Sequence, residues 1–198
     1  MYENMENRSE LLIKWIRVLM YIAVTSVVNS VINYLPFVPA AVTTWISRGI
    51  MAGVVICMFR LTPAHGRYKK AGIMRTIVLA CTLITAFAFA SSILNLAASI
   101  LSIIAVYQEY HAHAELIADQ DSKLSGKWHS LFNWGLVAGI LVGFGSTVTV
   151  LILTLMESDV VPLTAIIVGV LGIPQIILDL VYALYLKKMV SIFEGSQV

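Results

Sequence analysis

Residues 73–107 read IMRTIVLACTLITAFAFASSILNLAASILSIIAVY, and the organisation of the whole chain depends on how this block folds. No charged residue lies between Arg75 and Glu109, and the block contains neither proline nor glycine. One membrane crossing takes about 20 apolar residues. The block is therefore too long for one ordinary crossing and barely long enough for two.

The composition of the chain predicts that its main solvent is lipid. Of its 198 residues, 59% are hydrophobic and only 12% are charged. Because soluble domains have about 25% charged residues, so few charges cannot cover a water-exposed surface of this size. We therefore expect an all-α integral membrane protein, a helical bundle that forms a single domain over residues 1–198, with the lipid bilayer as its partner.

Basic residues predict how the chain is oriented in the membrane. The loop over residues 60–75 carries five Lys or Arg residues and no acid, and the N-terminus carries Arg8, Lys14 and Arg17. Cytoplasmic loops are enriched in Lys and Arg. The N-terminus and the 60–75 loop are therefore expected to be cytoplasmic. The uncharged turn over residues 36–44, which contains two prolines, is expected to lie outside.

The central block has two possible interpretations. As one long third helix, it gives five crossings and places Lys123–Lys127 and Lys187–Lys188 outside, against the positive-inside rule. As a hairpin that turns near Ser91–Ser92, it gives six crossings as three hairpins. Those lysines then lie inside and the acidic turn Glu157–Asp159 lies outside. The charges favour six crossings, although the turn lacks the glycine or proline that turns usually contain.

The last apolar block contains Asp179, the one acid well inside an apolar run. Gln175 lies four residues earlier and shares its helix face, and Pro174 is expected to bend the helix. A charge at such depth is costly, so Asp179 should face protein or water, or be protonated. The pattern is typical of an ion or substrate path. The alternative is an acid held in place by neighbouring polar side chains.

Three membrane amides, Asn29, Asn33 and Asn95, are further candidates for lining a polar path. Asn29 and Asn33 share a helix face because they are four residues apart. Buried amides also commonly bond across helices, so structural cross-linking is the alternative interpretation.

A polar segment over residues 108–130 separates two apolar blocks. On a helix, His111, Glu115 and Asp119 would form one polar stripe, with His113 close by. His111, His113 and Glu115 are the candidate ligands for Zn²⁺ or a harder cation, although their spacing matches no established metal motif. The alternatives are a partner-binding or regulatory segment, or a solvated extension of a membrane helix.

Small residues four apart predict close helix packing. Gly135, Gly139 and Gly143 would form a groove that another helix backbone can approach, and Gly49 with Gly53 gives a weaker form of the same signal. The partner helix could belong to the same chain, to a second copy in a homo-oligomer, or to another membrane protein.

No nucleotide-binding loop, dinucleotide fingerprint or complete catalytic motif is present, so an enzyme is the least supported class. The chain is expected to have no cofactor and no nucleic-acid partner. In general character it resembles small multi-pass proteins of the bacterial plasma membrane. A transporter- or channel-like subunit with a polar path near the kinked last helix is one predicted function. A non-catalytic scaffold or regulatory subunit that binds a partner through residues 108–130 is the alternative.

Overall fold

The computed structural model describes residues 2–33, 38–87, 92–155 and 161–196. Side chains are described at residues 9–33, 38–86, 93–141 and 172–196. The secondary structure in the described ranges consists of six α-helices. No strand occurs in these ranges. The helices are α1 (Tyr2–Ile32), α2 (Ala40–Leu61), α3 (Gly66–Phe87), α4 (Ser92–Ile117), α5 (Ser122–Leu155) and α6 (Val161–Gly195). The predicted all-α helical bundle is confirmed.

The block over residues 73–107 is divided between α3 and α4, so it is not the single long helix of the five-crossing alternative. Arg67, near the start of α3, bonds to Glu115, near the end of α4, and the two helices therefore pack antiparallel. The predicted turn at Ser91 and the acidic turn Glu157–Asp159 lie outside the described residues.

The helices form a closed ring. Each helix packs against the next one along the chain, and α6 packs against α1. Arg17, midway along α1, pairs with Glu194, so the N-terminal half of α1 lies beside the C-terminal end of α6. Arg60, at the end of α2, lies over the ring of Trp15. One end of the ring therefore collects this half of α1, the C-terminal end of α6, the α2–α3 loop and the α4–α5 turn.

The packed core lies at this same end of the ring, which we call the terminal end. Its largest fully buried side chains include Trp128, Tyr68 and Met58, and they come from α5, α3 and α2. Further along the bundle the outward faces are apolar and exposed, as in the stripe Ile173, Ile177, Leu180 and Leu184 on α6. Apolar stripes of this kind suit contact with lipid.

Three helices are long and apolar enough to cross a membrane, within the part of the chain whose side chains are described. They are Ser9–Ile32 in α1, Ala40–Leu61, which is α2, and Ile93–Ile117 in α4. This finding supports membrane localisation. Among these residues it does not show the six crossings that the charge pattern favours.

The polar segment over residues 108–130 is mostly helical. Its first half completes α4 and its second half begins α5, and only residues 118–121 connect the two helices. Glu109, His113 and Trp128 are at most 1% exposed. The expectation of a solvated extension is therefore wrong for this inward face, because these three side chains belong to the packed core.

Asp121 explains why α5 begins where it does. Its Oδ1 accepts a hydrogen bond from the backbone N–H of Leu124 at 2.9 Å, which satisfies a free donor at the helix start. Its Oδ2 accepts a bond from Lys188 Nζ at 2.6 Å. The nearby ammonium, followed by the backbone donor, holds the pKa of Asp121 below its usual value. The α4–α5 turn is thereby tied to α6.

Close helix contacts occur at glycines other than the predicted triplet. A Cβ at Gly72 of α3 would lie 3.3 Å from Met58 Cβ of α2, and one at Gly53 would lie 3.0 Å from Ile22 Cδ1 of α1. A Cβ at Gly135 or Gly139 would meet nothing within 4 Å among the described residues. Gly143 lies beyond the residues whose surroundings are described.

We expect Gly72→Ala to melt at a lower temperature than Gly126→Ala, the matched control in an exposed part of α5. The new methyl at position 72 overpacks the α2–α3 contact, at a cost of about 1–3 kcal/mol. Position 126 is open, and alanine there gains up to about 1 kcal/mol of helix propensity. Thermal melts of the purified protein in detergent micelles measure the difference. Equal melting temperatures would contradict the close contact at Gly72.

Candidate functional site: a central polar cavity

The ring of helices surrounds a partly open cavity of about 460 Å³. Every helix contributes to its wall, and apolar side chains such as Leu19, Ile50 and Phe132 alternate with polar ones. The polar lining residues are Ser26, Asn29, Ser30, Ser47, Arg75, Ser102, Glu109, Tyr110, Gln175, Asp179 and Tyr182. A cavity of this size with a few convergent polar groups is the usual form of a small-molecule site.

A charged cluster forms one part of the wall. Arg75 of α3 donates to Glu109 Oε2 from Nε at 2.9 Å and also from Nη2. The Tyr182 hydroxyl of α6 donates to Glu109 Oε1. Glu109 is 1% exposed, so its charge is tolerable only because a cation and a hydroxyl satisfy both of its oxygens. This cluster links three helices at the edge of the cavity.

His113 continues the cluster into the packed core. It is fully buried, its Nδ1 lies 2.8 Å from the Tyr68 hydroxyl, and its ring lies against Trp128 with centroids 4.6 Å apart. Its Nε2 lies 3.9 Å from Glu109 Oε1, which is beyond hydrogen-bonding distance. The rings of Tyr110 and Tyr182, which line the cavity, stack on each other with centroids 5.3 Å apart. Aromatic rings therefore separate the cavity from the terminal end.

Asp179 and Gln175 line the cavity from α6, as their spacing predicted for one helix face. Gln175 Nε2 donates to Asp179 Oδ1 at 2.9 Å. Asp179 is half-buried, and Gln175 is exposed. Pro174 lies inside α6 and removes the backbone donor that would bond to the carbonyl of residue 170. The predicted acid–amide pair thus borders the cavity and lies next to Pro174, although α6 is continuous through this position.

The three predicted amides have different positions. Asn29 lines the cavity, and its Nδ2 donates to Ser47 Oγ at 2.8 Å and to the Thr43 carbonyl at 3.3 Å. Asn33 lies outside the cavity wall and accepts a bond from Thr43 Oγ1. Asn95 is exposed on α4 and does not line the cavity. Asn29 and Asn33 therefore connect the end of α1 to α2, and Asn29 also lines the cavity.

The three candidate metal ligands are not brought together. His113 is in the core, whereas His111 packs against Tyr107 with ring centroids 3.9 Å apart. Glu115 accepts bonds from Arg67 Nε and lies 2.9 Å from His65 Nε2. Among the described residues, no group of three His, Cys, Asp or Glu side chains could hold a metal ion.

Glu115 instead belongs to an ion-pair cluster at the terminal end. Its carboxylate lies 2.9 Å from Arg67 Nη2, and hydrogen bonding to it raises the pKa of the Arg67 guanidinium. This pair joins α3 to α4 about two helix turns from the buried Arg75–Glu109 pair, on the side of the terminal end. The exposed half of the 108–130 segment is therefore partly occupied by contacts within the chain.

Sequence analysis missed Arg75, Glu109 and Tyr182 as site residues. Arg75 and Glu109 are the charged residues at the two ends of the uncharged stretch, and residue 92 lies midway between them in the sequence. An antiparallel hairpin that turns at this point places them opposite each other, so the signal was present in their symmetry about the turn. Tyr182 lies three residues after Asp179 and therefore on a neighbouring part of the same helix face.

Comparisons with protein-family models, curated proteins and solved structures find no match to this chain. Its function must therefore be inferred from the geometry of the cavity.

We expect Arg75→Met to cost about 3–5 kcal/mol of stability, because it leaves the Glu109 charge buried without its partner. The double variant Arg75→Met with Glu109→Gln should recover most of this loss, since it removes both charges. Arg67→Met is the matched control. It breaks a partly exposed pair between the same two helices and should cost less than about 1 kcal/mol.

Unfolding of the purified variants in mixed detergent micelles measures these differences. Equal losses for Arg75→Met and Arg67→Met would show that burial of the Glu109 charge does not govern the stability of the bundle.

Proposed function

We propose that this protein is a small multi-pass membrane transporter, or the transporting subunit of one, whose solute path includes the central cavity. The observation that carries the proposal is the cavity wall itself. All six helices contribute to it, and it presents Asp179, Gln175 and Asn29 in a bundle whose outward surface is apolar. Buried polar groups in lipid are costly, and they commonly mark solute or ion paths.

Six membrane crossings, as three hairpins, are part of the proposal. Three helices meet the length and composition expected of a span. The other three also carry exposed apolar stripes, such as Ile73, Ile77 and Ile84 on α3. On α5, Trp134, Val137 and Leu141 are exposed in the same way. A polar cavity enclosed by all six helices is best isolated from lipid when all six helices surround it in the bilayer.

The charge distribution supports a cytoplasmic terminal end. Most of the predicted 60–75 loop is helix, because α3 begins at Gly66. The ring brings to this end the basic residues of the N-terminal half of α1, the end of α2, the start of α3, the start of α5 and the end of α6. The positive-inside rule places such an end in the cytoplasm. With an even number of crossings, both chain ends lie there.

The scaffold alternative has less support. Its proposed contact segment, residues 108–130, buries Glu109, His113 and Trp128 in the protein's own core. Two of its acids, Glu115 and Asp121, pair with Arg67 and Lys188. Less of the segment is therefore free for a partner than the sequence suggested.

Paired cytoplasmic and external reporters fused before Met1 and after Val198 test the crossing number. We expect both ends to report from the cytoplasm, because Arg17 and Glu194 are in contact and the ring has an even number of helices. An external C-terminus with a cytoplasmic N-terminus would contradict six crossings.

Uptake by proteoliposomes tests the transport function. An equimolar mixture of small amines, amino acids, sugars and carboxylates is applied, and mass spectrometry identifies what enters the lumen. We expect enrichment of at least one solute over protein-free liposomes, and a loss of about tenfold or more in Asp179→Asn, since one lost charge contact of 1.4 kcal/mol is tenfold.

Asp119→Asn is the control for this uptake, because it removes an exposed acid from the α4–α5 turn, away from the cavity. Its uptake should equal that of the unchanged protein. Absence of any enriched solute would refute the transport proposal. Unchanged uptake in Asp179→Asn would exclude this acid from the path.

A further inference from the structure

We infer that the central cavity binds a small organic cation, an amine or quaternary ammonium compound, with Asp179 as its counter-ion. This inference rests on the proposed function for its physiological meaning, but the binding itself can be measured without transport. Four features of the cavity wall lead to this ligand class: its charge balance, its free acceptors, its aromatic faces and its size.

The charge balance of the wall is negative. Its ionisable side chains, other than tyrosines, are Arg75, Glu109 and Asp179. Arg75 is paired with Glu109, which neutralises both within the wall. Asp179 has no cation among its hydrogen-bond or ion-pair partners in the described residues, and its recorded side-chain partner is the neutral amide of Gln175. A cationic ligand would supply the missing positive charge, whereas an anion would add a second unbalanced charge.

Asn29 is a wall residue with one unused acceptor and no unused donor. It is 7% exposed, and its buried Oδ1 has no hydrogen-bond partner in the part of the chain that the structure describes. Its amide nitrogen is already used by Ser47 and the Thr43 carbonyl. This amide therefore has no free donor for a ligand that is rich in acceptors.

Aromatic rings complete the preference for an organic cation over a hydrated metal ion. Phe132, Tyr110 and Tyr182 line the same cavity, and the two tyrosine rings stack on each other, so that each has at most one face left for a ligand. The faces of such rings attract alkylammonium groups and form the usual recognition element for quaternary ammonium compounds. Apolar residues occupy much of the remaining wall, and they match the alkyl parts of such a ligand.

The size of the cavity sets the scale of the ligand. At about 460 Å³ it lies within the range of about 300–1,000 Å³ that is usual for small-molecule sites. Choline and tetraethylammonium are suitable probes of this class. The uncharged compound 3,3-dimethylbutan-1-ol has the same shape as choline, with carbon in place of the charged nitrogen, and isolates the contribution of the charge.

Calorimetric titration of the full-length protein in detergent tests the inference. We expect choline or tetraethylammonium to bind, and the neutral analogue of choline to bind at least about tenfold more weakly than choline, a difference of 1.4 kcal/mol. Asp179→Asn should remove most of this preference, and Asp179→Glu should keep it. Asp119→Asn also replaces one carboxylate by an amide, but outside the cavity, and this variant should bind both cations like the unchanged protein.

The comparison of choline with its neutral analogue needs no variant, so the test stands even if Asp179→Asn fails to fold. Binding of neither cation, equal binding of the neutral analogue, or cation binding unaffected by Asp179→Asn would each overturn the inference.

Binding and uptake separate this inference from the transport proposal. Cation binding without uptake of any solute would leave the ligand class standing and refute transport. Uptake of neutral or anionic solutes by a protein that binds neither cation would refute the ligand class and leave transport standing.

Discussion

A buried ion pair between Arg75 and Glu109 is the interaction on which the rest of the bundle depends. It fixes how α3 lies against α4, and through Tyr182 it fixes how α6 lies against both. Neither charge could be buried here alone, because the free energy lost on desolvation of an unpaired ion exceeds the free energy gained from a few neutral contacts. The pair therefore sets the register of the hairpin. Arg75, the cationic side chain among the described residues of the cavity wall, is therefore already paired.

The bundle is divided into a tightly packed end and a polar centre. At the terminal end, aromatic rings around Trp128 and His113 fill the space between helices, and exposed ion pairs such as Arg67–Glu115 tie neighbouring helices together. Nearer the centre the side chains facing inward become smaller and polar, as at Ser47 and Asn29, and a cavity remains. This arrangement gives a rigid base on which Asp179 and Gln175 can be held in position facing open space.

Much of the fold could be predicted from the sequence, because composition determines the solvent of a chain and apolar length determines its helices. Asp179, Gln175 and Asn29 were found because a polar group within an apolar run is conspicuous. The burial of Glu109 and His113 was not predicted, because residues 109 and 113 have the same four-residue spacing as 111 and 115, and spacing alone does not tell which helix face points inward. Gly72 was missed for a related reason: a close contact needs one small residue opposite a neighbour, and no repeat marks it in the sequence.

The position of Arg75 has a consequence for how the protein is made. On the six-crossing topology proposed above, α3 enters the bilayer with Arg75 nine residues, about 14 Å, from the start of the helix. An isolated helix with an arginine at its centre enters a bilayer at a cost of about 2.5–3.5 kcal/mol. Its counter-charge is on α4, which the ribosome produces later. The two helices can share this cost by entering the bilayer together as a neutral hairpin. Insertion of α3 is then coupled to synthesis of α4, and the membrane-insertion machinery would have to hold one helix until its partner emerges.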